Sequence, residues 1–430
     1  MGAPFVAVLG LLSIASARPA SPAPAQTELK IFVIAGQSNA EGQAEVNTTD
    51  AATGEYLNGT LAYQVRDPRT AELFAPLWDA ASNRWVVLPD AKVWYNENGA
   101  TSGVNGSVIP SSPSDATFGS LTTGFGCQGD PNLIGPELGF GFGMRAALPA
   151  GEKFLIMKTA WGGKDLAGDF RPPSSVAAFD PFCQGPCPNV VGHYYQVMVA
   201  DVKKMLAPGA VAAMFPDLAG LAPRIAGFGW FQGWNDGCDL NMTAAYETNL
   251  VHLIKDLRAE FGDPALPVSV GVSGFDGFNG AEATRTPKSD TPWVDMAPAD
   301  KIGTTCTVDR GCRRLDVALS QLAAGNATRH PELGGHVEVM ETRGFWRDAQ
   351  YSPNKGQGYH FWHNAETCAC GPCALIARTL KLTIAQLTAR ARTQPPQTTW
   401  SGRPWPREWC GPCSSDEGVW LLKKKRGGAN

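Results

Sequence analysis

The sequence predicts an α/β protein built on a five-stranded parallel sheet with long loop insertions. Short apolar runs with the length of buried strands recur along the chain, and helical patterns alternate with them, as in parallel βαβ units. The 48 glycines and 33 prolines exceed average usage and indicate many loops. The predicted strands lie at about residues 31–35, 153–159, 225–231, 267–272 and 336–341.

Helices are predicted where apolar residues recur every three or four positions. The pattern is clearest at 243–261, where Gly262 stands at the expected C-cap. Pro136 and Glu137 open an earlier helix, because proline suits the first helical turn and a carboxylate is favourable at a helix N-terminus. The remaining helices are predicted at 193–206, 315–324 and about 374–390.

Composition limits the class of protein. The 430 residues are 43% hydrophobic and 18% charged, so the chain can form one large domain with long loops or two ordinary domains. The net charge of −4 gives no indication of a nucleic-acid partner. The apolar segment at 5–14 is too short for a membrane anchor, and no later segment is long enough to span a bilayer.

The two ends of the chain differ in composition from its middle. An apolar segment followed by Ala15-Ser16-Ala17 is typical of a secretory signal peptide with its cleavage site, although no positive charge precedes it. We therefore expect a protein that is secreted or resides in the endomembrane lumen, without a membrane partner after cleavage. The predicted segments are a signal peptide at 1–17, a linker at 18–27, the folded domain at 28–392 with an elaborated surface insertion at 47–126, and a disordered tail at 393–430.

Cysteines and glycosylation sequons support the same compartment. Eleven cysteines are many for a cytosolic protein, and Cys183/Cys187 and Cys306/Cys312 are close enough along the chain for local disulfides. The odd number leaves at least one thiol free or paired between chains. N-x-S/T sequons, which predict a glycoprotein, occur at Asn47, Asn58, Asn105, Asn241 and Asn326.

The strongest candidate site lies in KIFVIAGQSNAEG, at residues 30–42. A buried strand ends at Gly36, and Ser38 then sits at the carboxyl end of the strand, where open α/β sheets build their sites. If a helix begins at Ala40, nearby N–H groups point toward whatever the serine attacks. Ser38 is therefore a candidate nucleophile, whereas a simpler interpretation makes Ser38 or Asn39 a helix cap.

Two later blocks accompany this serine. KTAWGGK occupies 158–164 and is followed by DFRPPSS at 169–175, while GYHFWHNAET occupies 358–367. With GQSN, these blocks resemble the SGNH-hydrolase superfamily, and specifically the sialate O-acetylesterase-like (SASA) carbohydrate esterases. The resemblance covers about residues 28–390. It implies a three-layer flavodoxin-like fold and an acyl-ester hydrolase in which Ser38 is catalytic.

An ester hydrolase needs donors for the oxyanion that forms on the attacked carbonyl. Glycine lets a backbone N–H approach a substrate oxygen, and the resemblance implies that Gly162 or Gly163 provides one such donor beside the N–H of Ser38. A further block, QGWND, follows the strand at 225–231, and the superfamily places the oxyanion-hole asparagine there. That residue is Asn235, with Gln232 as the alternative donor.

A serine nucleophile also needs a general base, usually histidine. The chain has six histidines, and only His360 and His363 follow the last strand closely while preceding a predicted helix. The resemblance implies His360 as the base, with His363 as the runner-up. It also suggests that Asp169, Arg171 and Asn39 contact the substrate.

The acid of the triad is not evident from the sequence. The superfamily pattern is D-x-x-H, but Gln357 stands three residues before His360 and cannot act as a charged partner. Asp348, Glu366 and Asp236 are the candidates, and a Ser–His dyad oriented by a backbone carbonyl is an alternative. Loss of a charged partner would slow catalysis without abolishing it.

Two cysteine patterns suggest other functions. CGPC occurs at 370–373 and at 410–413, and the second copy matches a thioredoxin redox motif, but only a short tail follows it instead of a βαβ body. Cys368, Cys370 and Cys373 near the two histidines could ligate zinc, yet local disulfides are the preferred interpretation, and we expect no metal site.

Together these features predict a secreted carbohydrate O-acetylesterase that uses Ser38 and His360, needs no cofactor and acts on an acetylated carbohydrate. The competing class is a catalytically impaired glycan-binding protein on the same fold. A dithiol oxidoreductase at Cys410/Cys413 is a third possibility. The sequence does not identify the sugar, the acetyl position or the oligomeric state.

Overall fold

The computed structural model describes residues 26–96, 116–176, 190–275, 277 and 314–367. The predicted signal peptide at 1–17, the helix at 374–390 and the tail at 393–430 lie outside these ranges. So do nine of the eleven cysteines, including both predicted disulfide pairs and both CGPC strings. None of the described helices has the length and apolar character needed to cross a membrane.

The described strands and helices follow one another along the chain with loops of varied length. The strands are β1 Glu28–Gly36, β2 Ala44–Glu45, β3 Trp78–Asp79, β4 Arg84–Trp85, β5 Leu88–Asn96, β6 Ala116–Leu121, β7 Leu133–Ile134, β8 Phe154–Ala160, β9 Ala222–Phe231, β10 Val268–Gly271 and β11 Val337–Met340. The helices are α1 Ser38–Glu41, α2 Leu61–Gln64, α3 Ala71–Phe74, α4 Pro136–Ala147, α5 His193–Leu206, α6 Ala210–Met214, α7 Leu240–Glu260 and α8 Arg314–Ala324.

The central sheet has the order β11-β10-β9-β1-β8-β5-β6. The five predicted strands are all present and parallel, and among themselves they have the 2-1-3-4-5 order of flavodoxin-like sheets. The predicted α/β class is therefore confirmed. The direction of strand order reverses at β1, and this is the point at which open α/β sheets place their binding sites.

The segment at 47–126 differs from the expected surface insertion, because it adds two strands to the sheet. β5 runs parallel to β8, and β6 pairs antiparallel with β5 at the edge, so the described sheet has seven strands instead of five. The buried polar groups of β5 have partners outside the strand. Lys92 Nζ donates to Ser120 Oγ at 3.0 Å, and Asn96 Nδ2 donates to Asp201 Oδ2 at 2.7 Å, so both nitrogens are paired although buried.

Both faces of the sheet are covered by helices. Alternate side chains of β1 point to opposite faces, so that Ile31 and Val33 join the core beneath α5, α7 and α8 while Phe32 joins the core beneath α4. The rings of Phe32 and Phe140 lie 5.3 Å apart, edge to face. The result is a three-layer arrangement with β1 buried at its centre.

A fully buried ammonium group ties the first helix to this core. Lys158 Nζ donates to the carbonyl oxygens of Glu41 and Phe125 and to Glu137 Oε2, the last at 3.2 Å. It also lies 4.1 Å from the centre of the Tyr95 ring. Burial lowers the pKa of Lys158, and the Glu137 carboxylate opposes that shift. Because Glu41 ends α1, this contact fixes the short helix that begins with Ser38.

We predict that Lys158→Met lowers the free energy of unfolding by about 3–5 kcal/mol, because it leaves the buried Glu137 carboxylate without its cation. The double variant Glu137→Gln/Lys158→Met should recover part of this loss, since both buried charges are then removed. Urea denaturation followed by tryptophan fluorescence measures the difference. Equal losses in the single and double variants would contradict a charge-pair origin.

Candidate active site

The register of the central strands aligns the ends of three loops. Gly36 at the end of β1 pairs with Ala160 at the end of β8 and with Phe231 at the end of β9. Gly36 has φ +149°, and a Cβ there would lie 2.0 Å from the Phe231 carbonyl oxygen, so only glycine fits. The three loops with the sequences QSN, WGGK and QGWND therefore begin side by side.

Ser38 is the first residue of α1 rather than a helix cap. Gln37 occupies the N-cap position and makes no side-chain capping bond. The N–H groups of Ala40 and Glu41 donate to the Gln37 carbonyl, whereas the N–H groups of Ser38 and Asn39 precede the first position that has an intrahelical acceptor. A Cβ built on Gly162 would lie 3.7 Å from Ser38 Cβ, so the predicted nucleophile and the glycine pair are neighbours.

Gln37 joins the nucleophile loop to the loop after β9, a role the sequence did not reveal. Its Oε1 accepts hydrogen bonds from the N–H groups of Gly233, Trp234 and Asn235 at 3.1, 2.9 and 3.3 Å. Its Nε2 donates to Asn235 Oδ1 at 3.1 Å. One buried carboxamide thus shapes the turn and sets the orientation of the Asn235 side chain.

Asn235 and the two glycines meet at the solvent-facing side of this edge. Asn235 Nδ2 donates to the Gly163 carbonyl at 2.6 Å, which leaves its second hydrogen for another acceptor. Gly163 has φ +71°, in the left-handed region that favours glycine. The backbone of Gly162 instead donates to the Glu41 carboxylate, while burial raises the pKa of Glu41. Of the two glycines, Gly163 therefore keeps its N–H available.

Gln232, the alternative oxyanion donor, is occupied elsewhere. Its Nε2 donates to the Lys164 carbonyl at 3.1 Å and to Asp236 Oδ2 at 2.6 Å, and its Oε1 accepts from the Tyr246 hydroxyl at 2.9 Å. Both amide hydrogens are used inside the protein. This corrects the alternative assignment, because no donor of the Gln232 side chain remains for a substrate oxygen.

The three predicted acids all bind groups other than the imidazole of His360. Asp236 accepts from the N–H groups of Leu166 and Ala167, at 2.9 and 3.1 Å, and burial with the nearby charge of Asp165 raises its pKa to about 8. It therefore holds the loop that follows the glycine pair. Exposed Asp348 accepts from the Trp346 indole at 2.9 Å, and Glu366 pairs with Arg347.

The segment Gly358–His363, which we call the histidine turn, lies against α1. Asn39 Nδ2 donates to the carbonyl of Tyr359 at 3.0 Å, so the residue after the serine holds the residue before His360. Asn39 Oδ1 has no hydrogen-bond partner among the described residues, and the expected substrate contact of Asn39 stays a prediction. The bond brings together two parts of the chain that are separated by 320 positions.

The backbone of the histidine turn is strained. Phe361, Trp362 and His363 have φ values of 51°, 54° and 58°, in the left-handed region that non-glycine residues rarely adopt. The Phe361 ring stacks between Phe231 and Phe275, with interplanar angles of 11° and 8°. Such conformations cost about 1–3 kcal/mol each and persist only where the surroundings impose them, most often at functional sites.

His360 is held by Gln357 at the position where an acid was expected. His360 Nδ1 lies 2.9 Å from Gln357 Oε1, and an amide oxygen accepts, so Nδ1 carries the hydrogen and Nε2 keeps a lone pair. Burial, with a smaller contribution from His363, lowers the pKa of His360 to about 3. The ring is therefore neutral at physiological pH, as a general base must be.

Both nitrogens of His363 have partners. Nε2 lies 2.7 Å from Gln357 Oε1, and Nδ1 lies 2.9 Å from Glu45 Oε1. With no nitrogen left over, His363 is poorly placed to act as the base itself. The sequence indicated neither the contact of Gln357 with both rings nor any part for Glu45, because these contacts depend on the folded turn.

Asp169 and Arg171, which were predicted to contact the substrate, bind backbone groups of the protein itself. Buried Arg171 donates to the carbonyl oxygens of Ala167 at 2.6 Å and Val190 at 3.3 Å, so it supports the loop. Asp169 accepts from the Asp165 N–H at 3.2 Å, and burial, with the charge of Asp165, raises its pKa to about 6. Among the described residues, no group of histidines, cysteines and carboxylates is arranged to hold a metal ion.

The fold defines a three-layer α/β protein whose candidate residues are collected at the switch point of its sheet. Residues 111–304 match the family model described as carbohydrate esterase, sialic acid-specific acetylesterase (SASA). This match over part of the chain confirms the resemblance stated from the motifs. The match includes the glycine pair and Asn235 but neither Ser38 nor His360. No curated protein matches the chain.

Three solved structures overlap with the chain at low identity. A protein from Arabidopsis thaliana is 14% identical, with 82% of this chain and 98% of that chain covered and a TM-score of 0.43. A carbohydrate acetylesterase from Xanthomonas citri is 14% identical (79% and 56% covered, TM-score 0.38), and NanS is 13% identical (85% and 99% covered, TM-score 0.40). Similarity at this level transfers no residue role and no substrate.

We predict that the His360 ring stays neutral between about pH 5 and 8, since its pKa of about 3 lies below the usual histidine value of about 6.5. Its Cε1–H NMR signal should not move over that range. His330 provides the control, because burial is outweighed by its hydrogen bonds to Glu247 and Glu332, which raise its pKa. A His360 signal that titrates near pH 6.5 would contradict the neutral ring.

Proposed function

We propose that the protein is a secreted serine esterase that removes O-acetyl groups from carbohydrate. The match of residues 111–304 to the carbohydrate esterase family model supports the reaction class. The observation that carries the assignment of residues is the bond from Asn39 to Tyr359, which sets the loop of Ser38 against the turn of His360. Acyl transfer needs a serine within reach of a neutral histidine whose Nε2 keeps a lone pair.

The reaction has two halves. Ser38 Oγ attacks the acetyl carbonyl while His360 Nε2 takes the hydroxyl proton, and the same proton then goes to the departing sugar oxygen. This leaves an acetyl group on Ser38. His360 next takes a proton from water, the resulting hydroxide adds to the acetyl carbonyl, and His360 returns the proton to Ser38 Oγ as acetate leaves.

The oxyanion of each tetrahedral intermediate needs fixed donors. We assign this role to the N–H groups of Ser38 and Gly163 and to the second hydrogen of Asn235 Nδ2. The support is their position: Asn235 is held by Gln37 and Gly163, and the glycine pair adjoins Ser38. The reaction needs no cofactor.

Secretion is proposed from the sequence at 1–17 and from the sequons. Asn47, Asn241 and Asn326 are exposed, as glycosylation would require. The proposed substrate is an acetylated carbohydrate, and the proposed bounds of the esterase domain are 28–392.

A glycan-binding protein without turnover is the second candidate. The observation in its favour is that Gln357, and none of the three predicted acids, contacts His360 Nδ1 among the described residues. An uncharged amide orients the ring but does not stabilise the imidazolium as a carboxylate does.

We expect the purified protein to release acetate from acetylated sugars and from p-nitrophenyl acetate. Ser38→Ala should lower kcat by roughly 10³-fold or more, because the nucleophile is lost. Ser82→Ala, on an exposed turn, is the control and should behave like the wild type. Acetate release is measured by a coupled assay, with folding checked by circular dichroism.

Two outcomes would contradict the esterase assignment. Equal turnover by Ser38→Ala and the wild type would show that Ser38 is not the nucleophile. A folded wild type that binds acetylated glycans without releasing acetate would support the binding protein instead.

A further inference from the structure

A continuous series of side-chain contacts leads from His360 to a carboxylate on β2. His360 Nδ1 and His363 Nε2 both lie against Gln357 Oε1, at 2.9 and 2.7 Å. His363 Nδ1 then lies 2.9 Å from Glu45 Oε1. The side chains of His363 and Glu45 are 12% and 15% exposed, so water only weakly screens their contact.

The donors and acceptors fix the protons in this series. A carboxylate only accepts, so His363 Nδ1 carries a hydrogen. Gln357 Oε1 also only accepts, so His363 Nε2 and His360 Nδ1 both carry one. The contacts therefore suit a doubly protonated His363 paired with Glu45. The reverse amide orientation would let Gln357 Nε2 donate to both rings and would force the His360 hydrogen onto Nε2, where the ring could not accept from Ser38.

Glu45 is charged and firmly positioned. Burial opposes ionisation, but hydrogen bonds from His363 and Thr48 outweigh it and hold the pKa of Glu45 below its usual value. The backbone at Glu45 pairs with Leu133 in the β2–β7 ladder. The carboxylate can therefore fix the direction of the His363 ring.

The strained backbone of the histidine turn brings the rings of His360 and His363 to the same side chain. His363 has φ 58°, and its ring lies against the same oxygen as that of His360 three residues earlier. The left-handed residues at 361–363 fold the chain back so that both rings reach Gln357. Strain of this kind is retained where the local geometry is needed.

We propose that Glu45 acts through His363 and Gln357 in place of the acid of the Ser–His–acid triad. We call this series of contacts, from Glu45 to His363 to Gln357 to His360, the relay. Gln357 and His363 hold His360 with its hydrogen on Nδ1, and Glu45 balances the charge of the doubly protonated His363, which would otherwise oppose the developing imidazolium. These three are positioning residues, since none touches the reacting atoms. The proposal rests on the esterase function proposed above.

The decisive test is a double variant that moves the negative charge without changing the total charge, compared with the single variant that removes it. Glu45→Gln should lower kcat about 10- to 100-fold with KM little changed, because ground-state binding does not involve the relay. Adding Gln357→Glu places a carboxylate directly against His360 Nδ1, as in an ordinary triad, and Glu45→Gln/Gln357→Glu should recover most of the lost kcat. The acid limb of the kcat/KM profile should move to higher pH in the double variant, since a direct carboxylate favours the imidazolium.

Glu247→Gln is the matched control. Glu247 Oε1 lies 2.7 Å from His330 Nε2, so this variant breaks a Glu–His contact of the same kind outside the site. It should leave kcat and the pH profile unchanged. Circular dichroism and thermal melting verify that each variant is folded.

Each result decides between the proposals. Loss of kcat in Glu45→Gln with rescue by Gln357→Glu supports the relay. Unchanged kcat in Glu45→Gln, while Ser38→Ala is inactive, overturns the relay and leaves the esterase intact. If the wild type shows no Ser38-dependent turnover, the proposed function fails. In that case ¹⁵N NMR of the His360 ring tests separately whether Glu45 positions this ring. An Nδ1-protonated ring that loses this preference in Glu45→Gln supports the positioning role, and an unaffected ring overturns it.

Discussion

The pairing of β1 between β8 and β9 is the constraint on which the site depends. Gly36, Ala160 and Phe231 share one level of the sheet, so the three loops that follow them start within hydrogen-bonding distance of one another. Gly36 permits this because any Cβ would collide with the Phe231 carbonyl. Gln37 then converts the proximity into a fixed geometry, since its amide holds both the backbone and the side chain of Asn235.

The second part of the site reaches this edge from the opposite end of the chain. The bond from Asn39 to Tyr359 and the stacking of Phe361 between Phe231 and Phe275 hold the histidine turn in place. These contacts offset the cost of three consecutive left-handed residues. His360, the proposed base, is therefore positioned by packing against the end of β9, which pairs with the strand that precedes the serine.

The sequence predicted the elements whose side chains follow simple periods. The five parallel strands and the helices α4, α5, α7 and α8 lie close to their expected positions, because apolar runs and 3/4 spacing record burial directly. The sequence did not indicate that β5 joins the central sheet, because Lys92 and Asn96 interrupt its apolar run, and their partners Ser120 and Asp201 lie far along the chain. The spacing of apolar residues does not show which distant side chains will pair with a buried polar group.

Candidate site residues were predictable where a motif fixes the local backbone and unpredictable where a partner decides the role. Ser38, the glycine pair and Asn235 do meet at one edge. Gln232, Asp236 and Arg171 occupy the same motifs but are committed to internal hydrogen bonds. Nothing near Glu45 in the sequence indicates that its carboxylate meets His363, 318 positions away.

The central claim is that His360 activates Ser38 as a nucleophile, and covalent labelling tests it most directly. The full chain is treated with a fluorophosphonate ester, digested and examined by mass spectrometry. We expect one phosphonylated residue, Ser38, with labelling greatly slowed in His360→Ala. Labelling at another residue, or equal labelling of Ser38 with and without the His360 imidazole, would contradict it.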